Sequence, residues 1–325
     1  MIHGIINVYK EKGYTSHDVV AKLRGILRQK KIGHTGTLDP DAEGVLPVCL
    51  GKATKVCDLL TEKDKVYETV LLLGKSTDTQ DVTGMVQKEQ DVLCSPEQVR
   101  QAIMAFTGSY EQIPPMYSAL KVNGKKLCDL ARAGIEVERK PRNVTIFSIQ
   151  ILELSLPRVR MEVHCSKGTY IRTLCHDIGE KLGCGGCMES LLRTRVAEFT
   201  LEDAKKLGEI EAQVQKVREK FQREETLQKD SKKTVFQTEF VREDLGELVK
   251  STDCVFQQYP ESSVRQEFAK LLYNGNALRS EWMTEWKETY RGTMLRVYDR
   301  NQLFAGIYQW DEKDRILKPV KIFMV

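Results

Sequence analysis

An aspartate in a glycine-rich loop is the residue of this 325-residue sequence that is best placed to do chemistry. Asp39 lies in the run Gly33-His34-Thr35-Gly36-Thr37-Leu38-Asp39-Pro40. Glycines on either side of a reactive side chain let the backbone approach a substrate closely. Pro40 disfavours the helical conformation at Asp39 and stiffens the turn. A carboxylate held in this way suits a nucleophile or a base, although Asp-Pro is also ordinary turn chemistry and the turn is the simpler interpretation from the residues alone.

A second set of reactive side chains is the run Cys184-Gly185-Gly186-Cys187, with Cys175 and His176 upstream. Cys-x-x-Cys can supply half of a tetrahedral zinc site. The sequence contains no second Cys-x-x-Cys and no matched pair of histidines, so a structural zinc is the less favoured interpretation. The nine cysteines are an odd number, and no secretory signal pattern is seen. We therefore expect reduced thiols and a cytoplasmic protein.

Apolar patterns and end signals predict the elements that must position Asp39. We predict strands over residues 4–9, 66–73, 85–87, 144–154 and 159–165, and helices over residues 15–28, 95–108 and 171–182. Residues 33–44 are predicted to be loop, because glycines and Pro40 interrupt any regular element there. Strand patterns return at residues 293–298, 303–308 and 320–323. This order predicts an α+β fold with a mixed, mostly antiparallel sheet, flanking helices and a small β-rich module at its C-terminal end.

Charge is distributed unevenly along a sequence whose net charge is only +4. Residues 10–31 hold seven basic and two acidic side chains, and residues 121–142 hold seven basic and three acidic ones. Such segments suit a phosphate backbone, although many are simply solvated surface. The basic residues of the second segment are Lys121, Lys125, Lys126, Arg132, Arg139, Lys140 and Arg142. The 41% hydrophobic content argues against disorder, and no apolar stretch approaches the ~18 residues of a membrane helix.

Five sequence blocks occur in an order that resembles one enzyme family. The first is the loop extended to residues 33–47, followed by Lys65-Val66-Tyr67 and Thr77-Asp78-Thr79-Gln80-Asp81. The others are Pro114-Pro115-Met116-Tyr117-Ser118-Ala119-Leu120-Lys121 and Gly168-Thr169-Tyr170-Ile171-Arg172-Thr173-Leu174. Together they resemble the signature of the bacterial tRNA pseudouridine-55 synthases, the TruB family, over residues 4–199. A weaker match follows at Val297-Tyr298-Asp299 and Leu317-Lys318-Pro319-Val320-Lys321.

The resemblance implies a cofactor-free and metal-free enzyme that flips a uridine out of the T-arm of tRNA and isomerises it at position 55. It implies that Asp39 is the nucleophile, that Arg172 is its ion-pair partner and that Tyr67 stacks on the target base and assists proton removal. A guanidinium beside Asp39 lowers the pKa of that carboxyl and fixes its direction. His34 is implied to fill the space that the flipped base leaves, and Tyr170 and Leu191 to line the base pocket.

The resemblance also implies how the chain is organised. We expect a catalytic domain over residues 1–200, with an RNA-gripping thumb at residues 118–142 that contributes the seven basic residues named above. A charged, solvent-exposed helical connector is expected over residues 201–259, and a PUA-like RNA-binding domain over residues 260–325. We expect a monomer whose partner is tRNA. Two alternatives stay open, namely an RNA-folding factor in which catalysis is dispensable and a synthase that is directed to another RNA.

Three positions depart from the family pattern. Glu11 replaces a proline, Leu192 replaces an arginine and Ala197 replaces a glycine. These departures concern an RNA contact and local turn geometry, and they leave the residues that are implied in the reaction unchanged.

Overall fold

The computed structural model describes residues 1–228 and 242–324. Its strands form one large sheet, a four-stranded sheet near the C-terminus and two short hairpins. In chain order the strands are β1 Gly4–Lys10, β2 Ile32–His34, β3 Glu43–Leu50, β4 Lys65–Leu73, β5 Lys75–Thr77, β6 Val86–Glu89, β7 Gly108–Gln112, β8 Lys121–Val122, β9 Lys125–Lys126, β10 Arg142–Ser155, β11 Arg158–Cys165, β12 Gly186–Val196, β13 Phe199–Thr200, β14 Glu261–Ser263, β15 Met294–Tyr298, β16 Phe304–Asp311 and β17 Ile316–Ile322.

Helices lie between these strands and cover parts of the large sheet. The α-helices are α1 Ser16–Leu27, α2 Cys57–Thr61, α3 Pro96–Met104, α4 Leu127–Arg132, α5 Ile171–Leu182, α6 Leu207–Gln228 and α7 Ala269–Tyr273. Short 3-10 helices lie at Gly51–Val56, Arg242–Leu248, Thr252–Phe256, Gln266–Phe268, Ser280–Trp282 and Glu288–Gly292. No helix in the described part of the chain is long and apolar enough to cross a membrane.

The large sheet has the strand order β1-β3-β12-β4-β11-β10-β7, with β2 paired to β3 and β13 paired to β12. Among the described residues, β3 and β12 run parallel and the other pairs of this sheet are antiparallel. Helices α3 and α5 pack on one part of the sheet, whereas α1 and α6 pack on the part formed by β1 and β3. The predicted α+β fold with a mostly antiparallel sheet is confirmed.

The strand β12 was not predicted, although it lies at the centre of the sheet. It pairs with β4 on one side and with β3 on the other, and Arg193 stands opposite both Tyr67 and Gly44. Gly44 has φ +106, and a Cβ there would lie 2.2 Å from the Arg193 carbonyl oxygen. A glycine is therefore needed at this position, since the two backbones approach too closely for any side chain.

The predicted loop is shorter in the structure than in the sequence analysis. Pairing with β3 extends β2 to His34, and β3 itself begins at Glu43, so the irregular segment is confined to residues 35–42. Helix α1 begins as predicted, because the Thr15 side chain accepts a hydrogen bond from the Asp18 amide and Asp18 accepts one from Thr15. Helix α3 ends at Met104 rather than at residue 108.

The charged segment after residue 201 forms α6, and most of its described side chains are exposed, but one face is buried, which was not predicted. Leu207, Ile210 and Val214 are buried against α1 and the edge of the sheet. Their spacing of three and four residues places them on one helical face, which the surrounding Lys, Glu and Gln residues obscured in the sequence. The part of the predicted connector at residues 229–241 lies outside the described residues.

The four-stranded sheet has the order β14-β15-β16-β17 and packs against the large sheet. A shared apolar cluster joins Ile5, Cys49 and Phe199 to aromatic residues of the C-terminal segment. These aromatic residues are Phe256, Tyr298, Phe304 and Phe323. The β-rich C-terminal module that was predicted is present, and it is held by an apolar contact with the rest of the chain.

Replacing Ala197 with glycine is expected to stabilise the protein by about 1 kcal/mol. Ala197 has φ 50, in the left-handed region, and this conformation costs an L-residue other than glycine about 1 kcal/mol. The free energy of unfolding in urea measures the gain. Ala212→Gly, on an exposed position inside α6, is the control and should destabilise by about 1 kcal/mol. A loss of stability in Ala197→Gly would contradict the account.

Candidate active site

Asp39 projects from the segment between β2 and β3, and neighbouring elements hold this segment in place. The Leu38 amide donates to Ser16 Oγ at 2.9 Å, and the Gly13 amide donates to the Pro40 carbonyl at 2.9 Å. The Lys10 ammonium, which is fully buried, donates to the carbonyls of Pro40 and Ala42. The backbone on both sides of Asp39 is thus anchored, whereas its own side chain is 40% exposed.

Arg172, in the first turn of α5, faces the Asp39 carboxylate. Its Nε lies 3.0 Å from Asp39 Oδ2 and its Nη2 lies 3.4 Å from Asp39 Oδ1, so two nitrogens of the fork face two oxygens. The Arg172 side chain is only 7% exposed. Its remaining donors reach the Tyr117 carbonyl at 2.9 Å and the Thr79 carbonyl at 3.2 Å. This bidentate arrangement fixes the direction of the carboxylate, and it brings the two residues together as the sequence predicted.

Asp81 is a second carboxylate that pairs with Arg172, and no role was predicted for it. Its Oδ2 lies 3.4 Å from Arg172 Nη1. Its Oδ1 accepts hydrogen bonds from the Thr79 hydroxyl at 2.8 Å and from the Thr83 amide at 3.0 Å. The Thr77–Asp81 block was the signal that could have revealed it, because an aspartate among threonines in a loop orients itself by such local hydrogen bonds.

The electrostatics at Asp39 differ in their net direction from the sequence prediction. Burial raises the pKa of the Asp39 carboxyl above its ordinary value, and the charge of Arg172 opposes this rise without cancelling it. Asp81 adds to the rise and Lys10 opposes it. Burial has the opposite effect on the Lys10 ammonium, because it disfavours the charged form of both groups, and it lowers the pKa of Lys10 to about 8. The lowering effect that was predicted for Arg172 is present, but desolvation is the larger contribution.

Tyr67 lies on β4 and is 8% exposed. Burial raises the pKa of its phenol, so the hydroxyl is neutral at neutral pH. Its cross-strand neighbour Arg193 is 1% exposed, and the guanidinium donates to the Val45 carbonyl at 2.7 Å and to the Gly36 carbonyl at 3.4 Å. Arg193 thus connects the strand that carries Tyr67 to both ends of the Asp39 segment.

Arg193 was not predicted to have a function. Burial lowers the pKa of its guanidinium, and no carboxylate forms an ion pair with it within the described residues. An arginine that is buried without a carboxylate partner needs carbonyl acceptors, which Gly36 and Val45 supply. The surrounding residues of β12 gave no sign that this side chain faces inward.

The three residues that were predicted to bind substrate lie near the same place. His34 ends β2, and burial, followed by the charge of Arg193, lowers the pKa of its imidazole. Tyr170 precedes α5, and Gln112 holds its backbone through two hydrogen bonds of 2.7 Å and 2.9 Å. Leu191 is partly buried against the apolar cluster that contains Leu38 and Tyr67. Their roles toward a substrate stay predictions.

The predicted thumb consists of the β8–β9 hairpin, α4 and the segment that leads into β10. Six of its seven basic side chains are exposed, and these are Lys121, Lys125, Lys126, Arg132, Lys140 and Arg142. Arg139 differs, because it is largely covered and donates to the Pro114 carbonyl at 3.2 Å while it pairs with Glu136 at 3.3 Å. These contacts favour a structural role for Arg139, and RNA binding by the other six stays a prediction.

The cysteines near residue 184 are buried in the structure. Burial raises the pKa of Cys175 to about 12 and that of Cys187 to about 11. Thiols of this kind are protonated at neutral pH, whereas zinc binds the thiolate. In the described residues no group of three or more His, Cys, Asp or Glu side chains converges as a metal site would require.

Comparisons with known proteins place the chain in a family. Residues 24–171 match the N-terminal domain of TruB family pseudouridylate synthases, and residues 172–235 match the tRNA pseudouridylate synthase B C-terminal domain. The chain is 51% identical over 333 aligned positions to the tRNA pseudouridine synthase B of Lachnoclostridium phytofermentans, which covers 99% of this chain and 100% of that protein. The chain belongs to the TruB family. The tRNA pseudouridine synthase B of Alkaliphilus oremlandii is 40% identical, with 99% of this chain and 97% of that protein covered.

Solved structures support the same fold. A Cbf5-Nop10-Gar1 complex contains a chain that is 25% identical with a TM-score of 0.66, and 99% of this chain and 85% of that chain are covered. The archaeal box H/ACA sRNP Nop10-Cbf5 complex contains one that is 22% identical with a TM-score of 0.67, and 99% of this chain and 86% of that chain are covered. The two TruB domain matches divide at residue 171, in the first turn of α5, rather than near residue 200. The strand β12 follows that point and pairs with β3 and β4 of the large sheet. We therefore keep residue 200 as the proposed end of the catalytic domain.

Proposed function

We propose that this chain isomerises uridine to pseudouridine at position 55, in the T-arm of tRNA, without a cofactor and with Asp39 as nucleophile. The observation that carries the proposal is the bidentate pair of Asp39 and Arg172, in which a partly exposed carboxylate is aimed by a buried guanidinium. Membership of the TruB family supplies the reaction. The relatives are named as tRNA pseudouridine synthases, which favours tRNA as the substrate.

The chemistry asks a carboxylate to meet positive charge at the anomeric carbon, as in retaining glycosidases. In one route Asp39 attacks C1′ and forms an ester as the C1′–N1 bond breaks, with the electron pair leaving on N1; in a glycal route Asp39 instead removes a proton from the sugar as that bond breaks. The released uracil then turns and C5 bonds to C1′, which breaks the ester of the first route or is accompanied in the second by return of the proton from Asp39 to the sugar. The proton then leaves C5 and N1 gains a proton. Arg172 keeps the Asp39 carboxylate in one direction through this sequence, and Asp81 keeps Arg172 in place.

The aromatic and apolar side chains near Asp39 suit a base that has left its helical stack. Tyr67 offers a ring face, and Tyr170 and Leu191 offer further apolar surface. Because its raised pKa keeps the Tyr67 phenol neutral, the hydroxyl is a weak base, and we propose stacking as the main role of Tyr67. His34, at the start of the Asp39 segment, would occupy the space that the base leaves.

Replacing Lys125 and Lys126 with alanine is expected to weaken the binding of a T-arm RNA stem-loop. Both side chains are exposed on the β8–β9 hairpin, and each phosphate contact contributes about 1 to the slope of log K against log salt. The magnitude of this negative slope should therefore decrease by about 2. Binding titrations at several salt concentrations measure it. Arg139→Ala should leave the slope near that of the parent, because Arg139 Nη1 and Nη2 already donate to Pro114 and Glu136. An unchanged slope in the double variant would contradict phosphate binding by the thumb.

Release of tritium from RNA that carries 5-tritiated uridine tests the proposed reaction directly, because the C5 hydrogen is lost when C5 bonds to C1′. We expect release from a T-arm stem-loop with a single uridine at position 55. A folded protein that binds this RNA and releases no tritium would overturn the proposal. Mapping pseudouridines in cells with and without the gene would then show whether another RNA is the target. We propose that the protein acts as a monomer in the cytoplasm, and sedimentation of the purified chain tests its state.

A further inference from the structure

Arg193 is a buried cation beside the candidate active site, and the chemistry proposed for Asp39 gives it no part. Its side chain is 1% exposed, and it forms no ion pair with a carboxylate in the part of the chain that the structure describes. Taking a charge out of water without an opposite charge is costly, so the contacts that remain must offset this cost. Those contacts join two parts of the site that are far apart in the sequence.

The first contact of Arg193 is with Tyr67. Arg193 on β12 stands directly opposite Tyr67 on β4, so their side chains lie on the same face of the sheet. The guanidinium donates a hydrogen bond to the Tyr67 hydroxyl, and its charge lowers the pKa of the phenol against the larger effect of burial. Because a guanidinium has donors only, the phenol oxygen is the acceptor. The bond fixes the tip of the ring on which the uracil is proposed to stack.

The second contact of Arg193 is with the segment that carries Asp39. Its Nε donates to the Val45 carbonyl at 2.7 Å, and its Nη2 donates to the Gly36 carbonyl at 3.4 Å. Its Nη1 lies 3.7 Å from the place that a Cβ of Gly36 would occupy. The two carbonyls flank Asp39 in the sequence, so one guanidinium holds the segment on both sides of the carboxylate.

His34 adds a further bond at the same glycine. The Gly36 amide donates to His34 Nδ1 at 3.4 Å. Burial, and then the charges of Arg193 and His17, lower the pKa of the His34 imidazole. The imidazole is therefore neutral at neutral pH and can accept this bond. Gly36 is thus held through its amide by His34 and through its carbonyl by Arg193.

We propose that Arg193 is a positioning residue of the isomerisation, which holds the Tyr67 ring and the Asp39 segment in a fixed relation to each other. The proposal rests on the proposed function, in which a uracil stacked on Tyr67 must present its C1′ to Asp39. An error of about 1 Å in this relation would slow the reaction by about 10²-fold. Arg193 acts only through its bonds to Tyr67 and to the two carbonyls.

A double-mutant cycle with Arg193→Met and Tyr67→Phe tests the proposal. Single-turnover tritium release at saturating T-arm stem-loop should fall about 10²-fold in Arg193→Met. It should fall about tenfold in Tyr67→Phe, which loses one hydrogen bond. The double variant should also be about 10²-fold slower than the parent, because Arg193→Met has already lost the Tyr67 contact. The affinity for the stem-loop should stay within a few-fold of the parent in all three variants.

Arg296→Met is the matched control. Arg296 is 8% exposed and lies in the C-terminal sheet. It likewise donates to a backbone carbonyl, that of Tyr259 at 2.9 Å, and to a tyrosine hydroxyl, that of Tyr298 at 3.1 Å, and it also pairs with Glu261. Its replacement should lower the stability in urea, as Arg193→Met does. The rate at saturating RNA should stay within about twofold of the parent.

A parental rate in Arg193→Met would overturn the proposal. So would a double variant that is about 10³-fold slower, which is the product of two independent losses. If circular dichroism shows that Arg193→Met is unfolded, Arg193→Lys takes its place in the cycle, since it keeps the charge and loses the planar fork.

The same four proteins give a second cycle in the free energy of unfolding in urea, which does not require turnover. Losses of stability that add would overturn the contact between Arg193 and Tyr67, and losses that do not add would support it. A parent protein that releases no tritium would refute the proposed reaction, while this second cycle still decides whether Arg193 holds Tyr67.

Discussion

Replacing Asp39 with asparagine is expected to reduce uridine isomerisation by about 10⁴-fold or more while RNA binding stays within a few-fold of the parent. Asparagine has nearly the same shape, and its carbonyl oxygen can still accept a hydrogen bond from Arg172. It carries no negative charge, so it can neither attack C1′ nor offset positive charge there. Tritium release under single-turnover conditions measures the rate of the reaction.

Asp41→Asn is the matched control for this variant. Asp41 lies two residues further along the same segment, is 56% exposed and pairs only loosely with Lys12 at 3.8 Å. Its substitution should leave the rate within a few-fold of the parent. Tritium release by Asp39→Asn at the parental rate would exclude Asp39 as the nucleophile. In cells that lack the gene, full rescue by Asp39→Asn would favour the RNA-folding alternative over catalysis.

Replacing Arg172 with glutamine is expected to slow the reaction by about 10²- to 10³-fold and to move the acid side of the pH profile upward. The ionised Asp39 carboxylate is the active form, so the rate falls as the pH drops through its pKa. Arg172 lowers that pKa against the larger effect of burial. Its removal therefore raises the pKa further, and the loss of activity begins at a higher pH than in the parent. Rates of tritium release, measured for the parent and the variant from about pH 4 to about pH 9, show how far the acid side of the profile has moved.

Asp81→Asn is expected to shift the acid side of the pH profile in the direction opposite to Arg172→Gln. The charge of Asp81 raises the pKa of Asp39, so its removal should move the acid side downward while the rate falls less than in Arg172→Gln. Both variants need a check by circular dichroism, because the Arg172 side chain is buried. An acid side that is the same in the parent and in Arg172→Gln would show that another group controls the pH profile.

Local signals allowed part of the fold to be predicted. Thr15 and Asp18 mark the start of α1, and Gly183, with φ 74, ends α5 at the predicted residue. The strand β12 escaped because its side chains do not alternate between apolar and polar. Residue 193, whose side chain is buried, is an arginine. Arginine in a sequence normally indicates a surface position, and its burial is understood only once its carbonyl acceptors are known.

The pairing at the candidate site was predictable where the family resemblance supplied it, as at Asp39 and Arg172. It was not predictable where the role depends on distance, as at Asp81 and Arg193. The net pKa direction at Asp39 also requires the structure, because burial and a neighbouring charge act in opposite directions. A sequence shows the neighbouring charge but not the extent of burial.

The order in which the central strands are synthesised has a consequence for the nascent chain. The strand β12 inserts between β3 and β4, yet it leaves the ribosome long after both of them, since β4 ends at Leu73 and β12 begins at Gly186. Until then two long strands have unpaired edges, which invite association with other chains. Arg193 arrives with β12, so the segment that carries Asp39 gains its contacts with Arg193 only when the sheet closes. A chain interrupted before residue 186 would therefore be inactive and prone to aggregate.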